Sequence, residues 1–204
     1  KTHMLNLSFV VPDMLREFGG CAGNIVYNMK LLEGDALPMA TVGIDFDTYR
    51  ERFEKFGIDS RYIKVIADKY TAQCFVTTDM DNNQINFFQI GAMAHSHENK
   101  ISDCENISIG IVAPDGKEGM LSHAEQFADA GIPFFFDPGQ NVPLIDKDEM
   151  LGAFAHAKWL IFNDYEWQQI EDKTGLTTAS VRDLVDALIV TQGGAGSVIY
   201  TKDK

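Results

Sequence analysis

Hydrophobic residues in the first half of the chain recur at helical spacing. Residues 24–33 carry apolar side chains three and four positions apart, and Tyr49, Phe53 and Phe56 repeat that spacing after Asp47, a residue type that often precedes a helix. The pattern predicts one helix over 24–33 and a second helix that begins near Asp47. We expect the three aromatic residues of the second helix to lie in the core.

Strand-like segments follow these two helices. Residues 73–79 and 84–90 are rich in β-branched and aromatic residues, and the turn-forming residues between them predict a β-hairpin. From about residue 107, apolar strands alternate with loops and amphipathic helices, which is typical of parallel βαβ units. The sequence therefore predicts an α/β protein with a mostly parallel sheet and a separate hairpin.

A polar residue follows each of the four predicted strands of this sheet. The four are Asp115, Asp137, Asn163 and Thr191, and they are 22, 26 and 28 positions apart, which leaves room for a crossover helix each time. In open α/β sheets, ligands bind outside the carboxyl ends of the strands, so we expect these side chains to face a binding site. Each of them alone is as often a helix cap or the start of a turn.

Composition narrows the kinds of partner that the protein can bind. The 204 residues include 17 Lys and Arg against 30 Asp and Glu, a net charge of −13, which argues against a nucleic-acid or anionic-membrane surface. No apolar run reaches the roughly 18 residues of a membrane-spanning helix. The three cysteines fit no Cys-x-x-Cys pattern, so we expect neither a disulfide framework nor a zinc ribbon. Such cysteine usage favours a cytoplasmic location.

Three segments carry candidate chemistry, each with a plainer alternative. The glycine-rich loop at 19–24 would let a ligand approach the backbone at a helix N-terminus, but it matches neither common phosphate-binding glycine motif and is equally a tight turn. Asn163 and Glu166 share a first helical turn, which suits the water shell of Mg²⁺ or a simple helix cap. Residues 191–197 fit a phosphate cradle or a glycine-rich hairpin.

Nine segments, taken in order, resemble the PfkB-type, ribokinase-like carbohydrate kinases, and most closely their adenosine kinase branch. They are Gly19–Asn24, Met39–Asp45, Phe56–Ile63, Thr71–Cys74, Gln84–Ile85, Gly91–Met93, Phe136–Gly139, Asn163–Glu166 and Val190–Gly196. The resemblance implies a ribokinase-like three-layer α/β/α fold with a mostly parallel sheet, as one partial kinase domain over residues 1–204. It also implies a small β-sheet lid, with strands near 5–11 and 73–90.

The resemblance further implies ATP-dependent phosphorylation of a sugar hydroxyl, most closely the 5′-hydroxyl of adenosine or a similar nucleoside. A ribokinase- or fructokinase-like sugar kinase is the alternative. The substrate-binding residues that it implies are Gly19, Gly20 and Asn24 for the sugar hydroxyls. To these we add Phe9 and Gln73 of the lid segments and the strand-end residue Asp115 as substrate-binding residues. The residues that it implies for ATP and Mg²⁺ are Asn163, Thr191, Gly193 and Gly196 for ATP and Glu166 for the metal.

Two elements of that family are missing from this sequence. It contains no Gly-Ala-Gly-Asp segment, whose Asp is the family's general base, and no opening strand before Lys1. We therefore expect an incomplete part of a longer kinase, with no catalytic residue in this chain and the general base C-terminal of it. The same absence motivates a second hypothesis, a non-catalytic nucleoside-binding module. Exposed lid edges would permit a homodimer.

Overall fold

The computed structural model describes residue 8 and residues 10–202. Its first part contains two helices and two short strands that pair in parallel. They are α1 (Cys21–Leu31), β1 (Ala40–Val42), α2 (Asp47–Lys55) and β2 (Ile63–Val65). Both predicted helices are present, although α1 begins three residues earlier than the pattern of apolar residues indicated.

The helices and strands of this first part pack around a small aromatic and aliphatic cluster. Phe53 is 3% exposed and Phe46, just before α2, is 4% exposed, whereas Tyr49 and Phe56 are only half-buried at its edge. The prediction that these aromatic residues lie in the core is therefore confirmed in full for Phe53, whereas Tyr49 and Phe56 pack against the core cluster and are only partly buried. Tyr49 keeps its hydroxyl near the surface, where it can form a hydrogen bond.

A β-hairpin follows, as the sequence predicts. Strands β3 (Gln73–Thr78) and β4 (Gln84–Gln89) pair antiparallel, with Phe75 opposite Phe87. These two rings are 56% and 64% exposed, so the described residues leave much of this two-stranded sheet uncovered. Of the other predicted lid strand, near 5–11, residues 5–7 and 9 lie outside the described residues, and residues 8, 10 and 11 are not in a strand.

The rest of the chain forms a five-stranded sheet with its connecting helices. In chain order the elements are β5 (Gly110–Val112), α3 (Lys117–Asp129), β6 (Phe134–Phe136), α4 (Lys147–His156), β7 (Trp159–Asn163), α5 (Asp164–Thr174), α6 (Thr178–Leu184), β8 (Ala187–Thr191) and β9 (Ser197–Thr201). The strands lie in the order β5-β6-β7-β8-β9, and only β9 runs antiparallel to its neighbour. The predicted parallel βαβ series is therefore present.

The β7–β8 connection differs from the single crossover helix that the spacing suggested. Gly175 adopts a left-handed conformation, with φ of 77°, and ends α5. The Thr177 side chain then accepts a hydrogen bond from the Ser180 amide and caps α6. A glycine and a cap two residues apart therefore divide the connection into two helices.

The main core lies between the five-stranded sheet and its helices. Phe134, Phe136, Phe154 and Phe162 are at most 1% exposed, and the Phe162 ring stacks on Trp167 of α5 at 5.9 Å. A 3₁₀ helix at Gly91–Glu98 contacts both β1 and α3, and so joins the two parts of the chain. Within the described residues, no helix has both the length and the hydropathy needed to cross a membrane.

Candidate active site

A cavity of about 280 Å³ opens at the carboxyl ends of the central parallel strands. Its lining comprises Pro114, Asp137, Gly139, Gln140, Ile161, Phe162, Asn163, Glu166 and Thr191. The lining contains three of the four strand-end residues that the sequence indicated. Asn163 and Thr191 are brought together by the parallel register of β7 and β8, in which they are direct partners.

Asn163 and Glu166 form a complete capping box at the start of α5. The Asn163 side-chain oxygen accepts a hydrogen bond from the Glu166 amide at 2.7 Å, and the Glu166 carboxylate accepts one from the Asn163 amide at 2.9 Å. The plainer alternative, a helix cap, is therefore present, but both side chains also line the cavity. The cap holds the Glu166 carboxylate in one orientation at the cavity wall.

Asp137 adds a second carboxylate to the same wall. Burial and, to a smaller extent, the nearby charge of Glu166 raise its pKa to about 6, against the hydrogen bond that the Gly139 amide donates at 2.9 Å. The sequence placed Asp137 among the four strand-end residues expected to face a binding site, although the family resemblance gave it no role. Its position in the Asp-Pro-Gly turn after β6 was the available signal.

Asp115 lies at the end of the neighbouring strand, β5, and outside the lining of the cavity. Burial raises the pKa of its carboxyl to about 6, although the Gly116 amide donates a hydrogen bond to it at 2.7 Å. Its backbone oxygen accepts a hydrogen bond from the Asn141 side chain at 2.8 Å. The structure therefore places the predicted substrate residue Asp115 beside the cavity, with a carboxyl that gains a proton near pH 6.

The glycine-rich loop leads into α1 next to these carboxylates. Gly20 stands immediately before the helix with φ of 90°, a conformation that L side chains rarely adopt. Desolvation and the charges of Asp137 and Asp115 raise the pKa of the Cys21 thiol, so the loop lies within electrostatic range of both acids. A Cβ added at Gly19 or Gly20 would meet no atom within 4 Å, which leaves open space over the loop.

The segment after β8 is a tight glycine-rich turn. The Gln192 amide donates to the Gly196 oxygen at 2.7 Å, and Gly193 and Gly196 have φ of 55° and 98°. The turn joins β8 to the antiparallel strand β9, so the hairpin alternative describes the backbone here. Thr191 lines the cavity, whereas Gly193 and Gly196 are exposed beyond it.

The predicted substrate residue Gln73 is not part of the lining of this cavity. The Gln73 side-chain amide, at the start of β3, donates to the Asp45 carboxylate at 2.9 Å, and the Thr71 amide donates to the same carboxylate at 2.7 Å. These bonds fix the base of the hairpin. Phe9 lies outside the described residues.

The carboxylates at the cavity suit a magnesium ion bound through water. Residues 8 and 10–202 contain no group of three His, Cys, Asp or Glu side chains placed to hold a metal ion directly. Asp137 and Glu166 nevertheless line one cavity, and the charge of Glu166 adds to the burial that raises the pKa of Asp137. Mg²⁺ prefers oxygen ligands and keeps several waters, so this donor set fits it.

Comparison with known proteins identifies the family. Residues 5–204 match the pfkB family of carbohydrate kinases. The nucleoside kinase of Methanocaldococcus jannaschii is 30% identical over 201 residues, which cover 98% of this chain and 66% of that protein. This chain thus spans slightly less than two thirds of its relative's length.

Solved structures show the same relationship. The nucleoside kinase of Burkholderia thailandensis in complex with inosine is 46% identical, with a TM-score of 0.91 over 98% of this chain and 66% of that one. Its complex with ADP-inosine gives a TM-score of 0.89 over 100% of this chain and 64% of that one. These matches confirm the ribokinase-like α/β fold, and the family match over residues 5–204 shows that the chain belongs to the pfkB family of carbohydrate kinases.

Proposed function

We propose that this protein transfers the γ-phosphoryl group of ATP to the 5′-hydroxyl of a nucleoside. The observation that carries the proposal is the meeting of Asp137, Asn163, Glu166 and Thr191 in one cavity at the strand ends, next to a glycine-rich loop. This is the crevice in which open α/β sheets bind their ligands. The 46% identical structure with inosine bound favours a nucleoside over a free sugar.

The glycine-rich loop would hold the ribose. Gly19 and Gly20 present backbone to open space, so sugar hydroxyls can approach it closely. Asn24 lies in the first turn of α1, and its side chain is exposed. The side-chain amide can both donate hydrogen bonds to a sugar hydroxyl and accept them from it. In this arrangement the loop fixes the sugar, while the nearby strand-end carboxylates face the reacting end.

The wall formed by β6, β7 and β8 would hold the phosphates of ATP. Asn163 and Thr191 offer an amide and a hydroxyl at adjacent strand ends, and the turn at Gly193 and Gly196 adds an exposed backbone. Mg²⁺, held by Glu166 and Asp137 through water, would neutralise phosphate charge during the transfer. The capping box would hold the Glu166 carboxylate in place for such an ion.

The hairpin β3–β4 would act as a lid over the substrate. Its exposed aromatic residues can cover a bound base, and closure would exclude water so that ATP is not hydrolysed. The exposed edges of the strands β3 and β4 would also allow the hairpin to pair with a second copy of the protein, so the proposal includes a homodimer. The three cysteines are unpaired, which fits the reducing cytoplasm where ATP is available.

A kinase assay tests the proposed reaction. The protein as its gene encodes it is incubated with ATP and Mg²⁺, and with adenosine, inosine, ribose or fructose in separate reactions. We expect 5′-phosphorylation of a nucleoside and at least tenfold slower turnover of the free sugars, because the base adds binding surface that ribose lacks. Turnover of none of the four would refute the proposal, and turnover of ribose or fructose alone would make it a sugar kinase.

A pair of asparagine variants tests the loop within that assay. Asn24→Ala removes an exposed side chain at the proposed sugar site, and we expect a roughly tenfold rise in nucleoside KM with little change in Tm. Asn28→Ala is the matched control, because Asn28 lies one turn further along α1 and donates only to the Asn24 backbone oxygen. Equal KM values for the two variants would contradict the role of Asn24.

A further inference from the structure

Tyr49 of α2 reaches across to the glycine-rich loop. Its hydroxyl donates a hydrogen bond to the backbone oxygen of Gly19 at 2.8 Å, although the two residues are 30 positions apart in the chain. Gly19 has no side chain with which to pack, and Gly20 next to it has a positive φ of 90°. Such a segment loses much conformational entropy when it becomes ordered, so one fixed hydrogen bond has a large effect on its mobility.

The first turn of α1 is shaped to receive this tyrosine. A Cβ added at Gly23 would overlap the Tyr49 hydroxyl and lie 3.0 Å from the ring carbon that carries it. Any larger residue at position 23 would therefore push the tyrosine away from the loop. The lack of a side chain at Gly23 is what allows the hydroxyl to reach Gly19.

The tyrosine ring is itself held in place by other aromatic rings. It lies 4.9 Å from both Phe18 and Phe53 and 5.4 Å from Phe46, measured between ring centroids. The Arg52 guanidinium lies over the Phe18 ring, 4.8 Å from its centroid, in a cation–π contact. Phe18 immediately precedes Gly19, so the start of the loop is bound to α2 by a side chain and by a backbone carbonyl.

We infer that Tyr49 is a positioning residue, which orders the glycine-rich loop before the nucleoside binds. This inference rests on the proposed function, because it gives the loop the role of holding the ribose. Aromatic packing alone would keep the ring in the cluster, whereas the hydroxyl specifically fixes the carbonyl of Gly19. A preordered loop lowers the entropic cost of binding, so Tyr49 acts on substrate affinity more than on the chemical step.

Kinetics of a single-atom change test this role. Tyr49→Phe keeps the ring and removes the hydroxyl, and we expect nucleoside KM to rise about three- to tenfold with kcat within about twofold of wild type. Tyr27→Phe is the matched control, because the Tyr27 ring packs on Phe56 in the same cluster. Within the described residues, the Tyr27 hydroxyl makes no hydrogen bond to the loop. A KM for Tyr49→Phe equal to that of the control would overturn the inference.

A second measurement reports on the loop without any turnover. In a Cys74→Ser, Cys104→Ser background, Cys21 is the remaining cysteine of residues 1–204, it stands at the junction of loop and helix, and its labelling is read on the peptide that contains it. We expect Tyr49→Phe to increase the rate of Cys21 labelling by a neutral thiol reagent about three- to tenfold, and Tyr27→Phe to leave it unchanged. An unchanged rate in Tyr49→Phe would overturn the inference even if the protein phosphorylates nucleosides. An increased rate in a protein that phosphorylates nothing would support the positioning and refute the proposed function.

A double variant separates this contact from general loosening. Gly23→Ala forces the tyrosine out of its place, so removing the hydroxyl as well should cost little more. We expect the effect of Tyr49→Phe on Cys21 labelling to fall below twofold in the Gly23→Ala background, a non-additivity typical of residues in contact. Independent, multiplicative effects of the two substitutions would contradict the contact on which the inference is built.

Discussion

Two half-buried carboxyl groups at neighbouring strand ends are held in an unfavourable environment. Burial raises the pKa of both Asp115 and Asp137 to about 6, while a single amide donates a hydrogen bond to each at 2.7 and 2.9 Å. Their charged forms are therefore less stable in the folded protein than in the unfolded chain, where an Asp ionises near pH 4. Perturbed acids of this kind cluster at functional sites, because binding and catalysis require groups that folding alone would not favour.

This environment predicts a particular dependence of stability on pH. Because the folded pKa lies above the unfolded value, the unfolded chain releases the proton first, and stability falls as pH rises from about 4 to 6. Asp115→Asn removes the buried charge and keeps an oxygen for the Gly116 amide. We expect it to raise the free energy of unfolding by about 2 kcal/mol at pH 7.5 and to leave it almost unchanged at pH 3.5.

Urea denaturation at a series of pH values measures this effect. Asp129→Asn is the control, since Asp129 is an exposed residue at the end of α3 and its substitution also removes one negative charge. A gain in stability at pH 7.5 that is equal for the two variants would show that net charge, and not burial, is responsible. A loss of stability in Asp115→Asn would contradict the unfavourable burial of the Asp115 carboxylate.

At the level of elements, two helices begin with the same cap but stand in different surroundings. Asn163 caps α5 at the cavity, and Asp146 caps α4 with the same reciprocal pair of hydrogen bonds at a position that does not line the cavity. Asn163→Ala and Asp146→Ala should each lower the free energy of unfolding by about 1 kcal/mol. Only Asn163→Ala should also weaken ADP binding, because only that cap orients a carboxylate at the proposed nucleotide site.

Calorimetric titration with ADP and Mg²⁺, together with urea denaturation, compares the two cap variants. Equal ADP affinities for both would mean that Asn163 is a helix cap and nothing more. A loss of affinity in Asp146→Ala of the same size would mean that general loosening of the sheet, and not the orientation of Glu166, controls binding.

The hairpin β3–β4 is an element with few neighbours to stabilise it. Two-stranded sheets are marginal in water without further packing, and both of its strands are almost entirely exposed. We expect its amides to exchange with deuterium at least tenfold faster than those of β7 and β8, which form the interior of the five-stranded sheet.

Mass spectrometry of peptides covering 73–89 and 159–191 measures the difference. Addition of adenosine or inosine should slow exchange in the hairpin if it closes as a lid over the substrate. Slow exchange without any ligand would contradict the marginal stability of the hairpin, and exchange that a bound nucleoside does not change would contradict its role as a lid.

At the level of the whole molecule, local sequence patterns predicted the elements and the strand ends, but not the contacts between residues far apart in the chain. The βαβ series, the hairpin and the strand-end residues depend on periodicity and on turns, so they could be identified from short windows. The contact of Tyr49 with Gly19 joins residues 30 positions apart and depends on how α1 packs against α2, which no local pattern encodes. The same holds for Asp137, whose type and position were visible while its burial beside Glu166 was not.

The net charge of −13 affects two measurable quantities, the thermal stability of the folded protein and its response to magnesium ions. Mutual repulsion of like charges destabilises a compact chain, so Tm should rise when choline chloride screens these charges between about 10 and 300 mM.

In the presence of ADP, MgCl₂ at matched ionic strength should add a further rise in Tm of about 2–4 °C, the effect of roughly 1 kcal/mol of specific binding in a protein of this size. This added rise should disappear in the variant Asp137→Asn, Glu166→Gln, which keeps hydrogen-bonding oxygens and removes both charges at the cavity. Equal Tm values in the two salts would mean that screening accounts for the whole effect, and a magnesium increment that survives in the double variant would place the ion elsewhere.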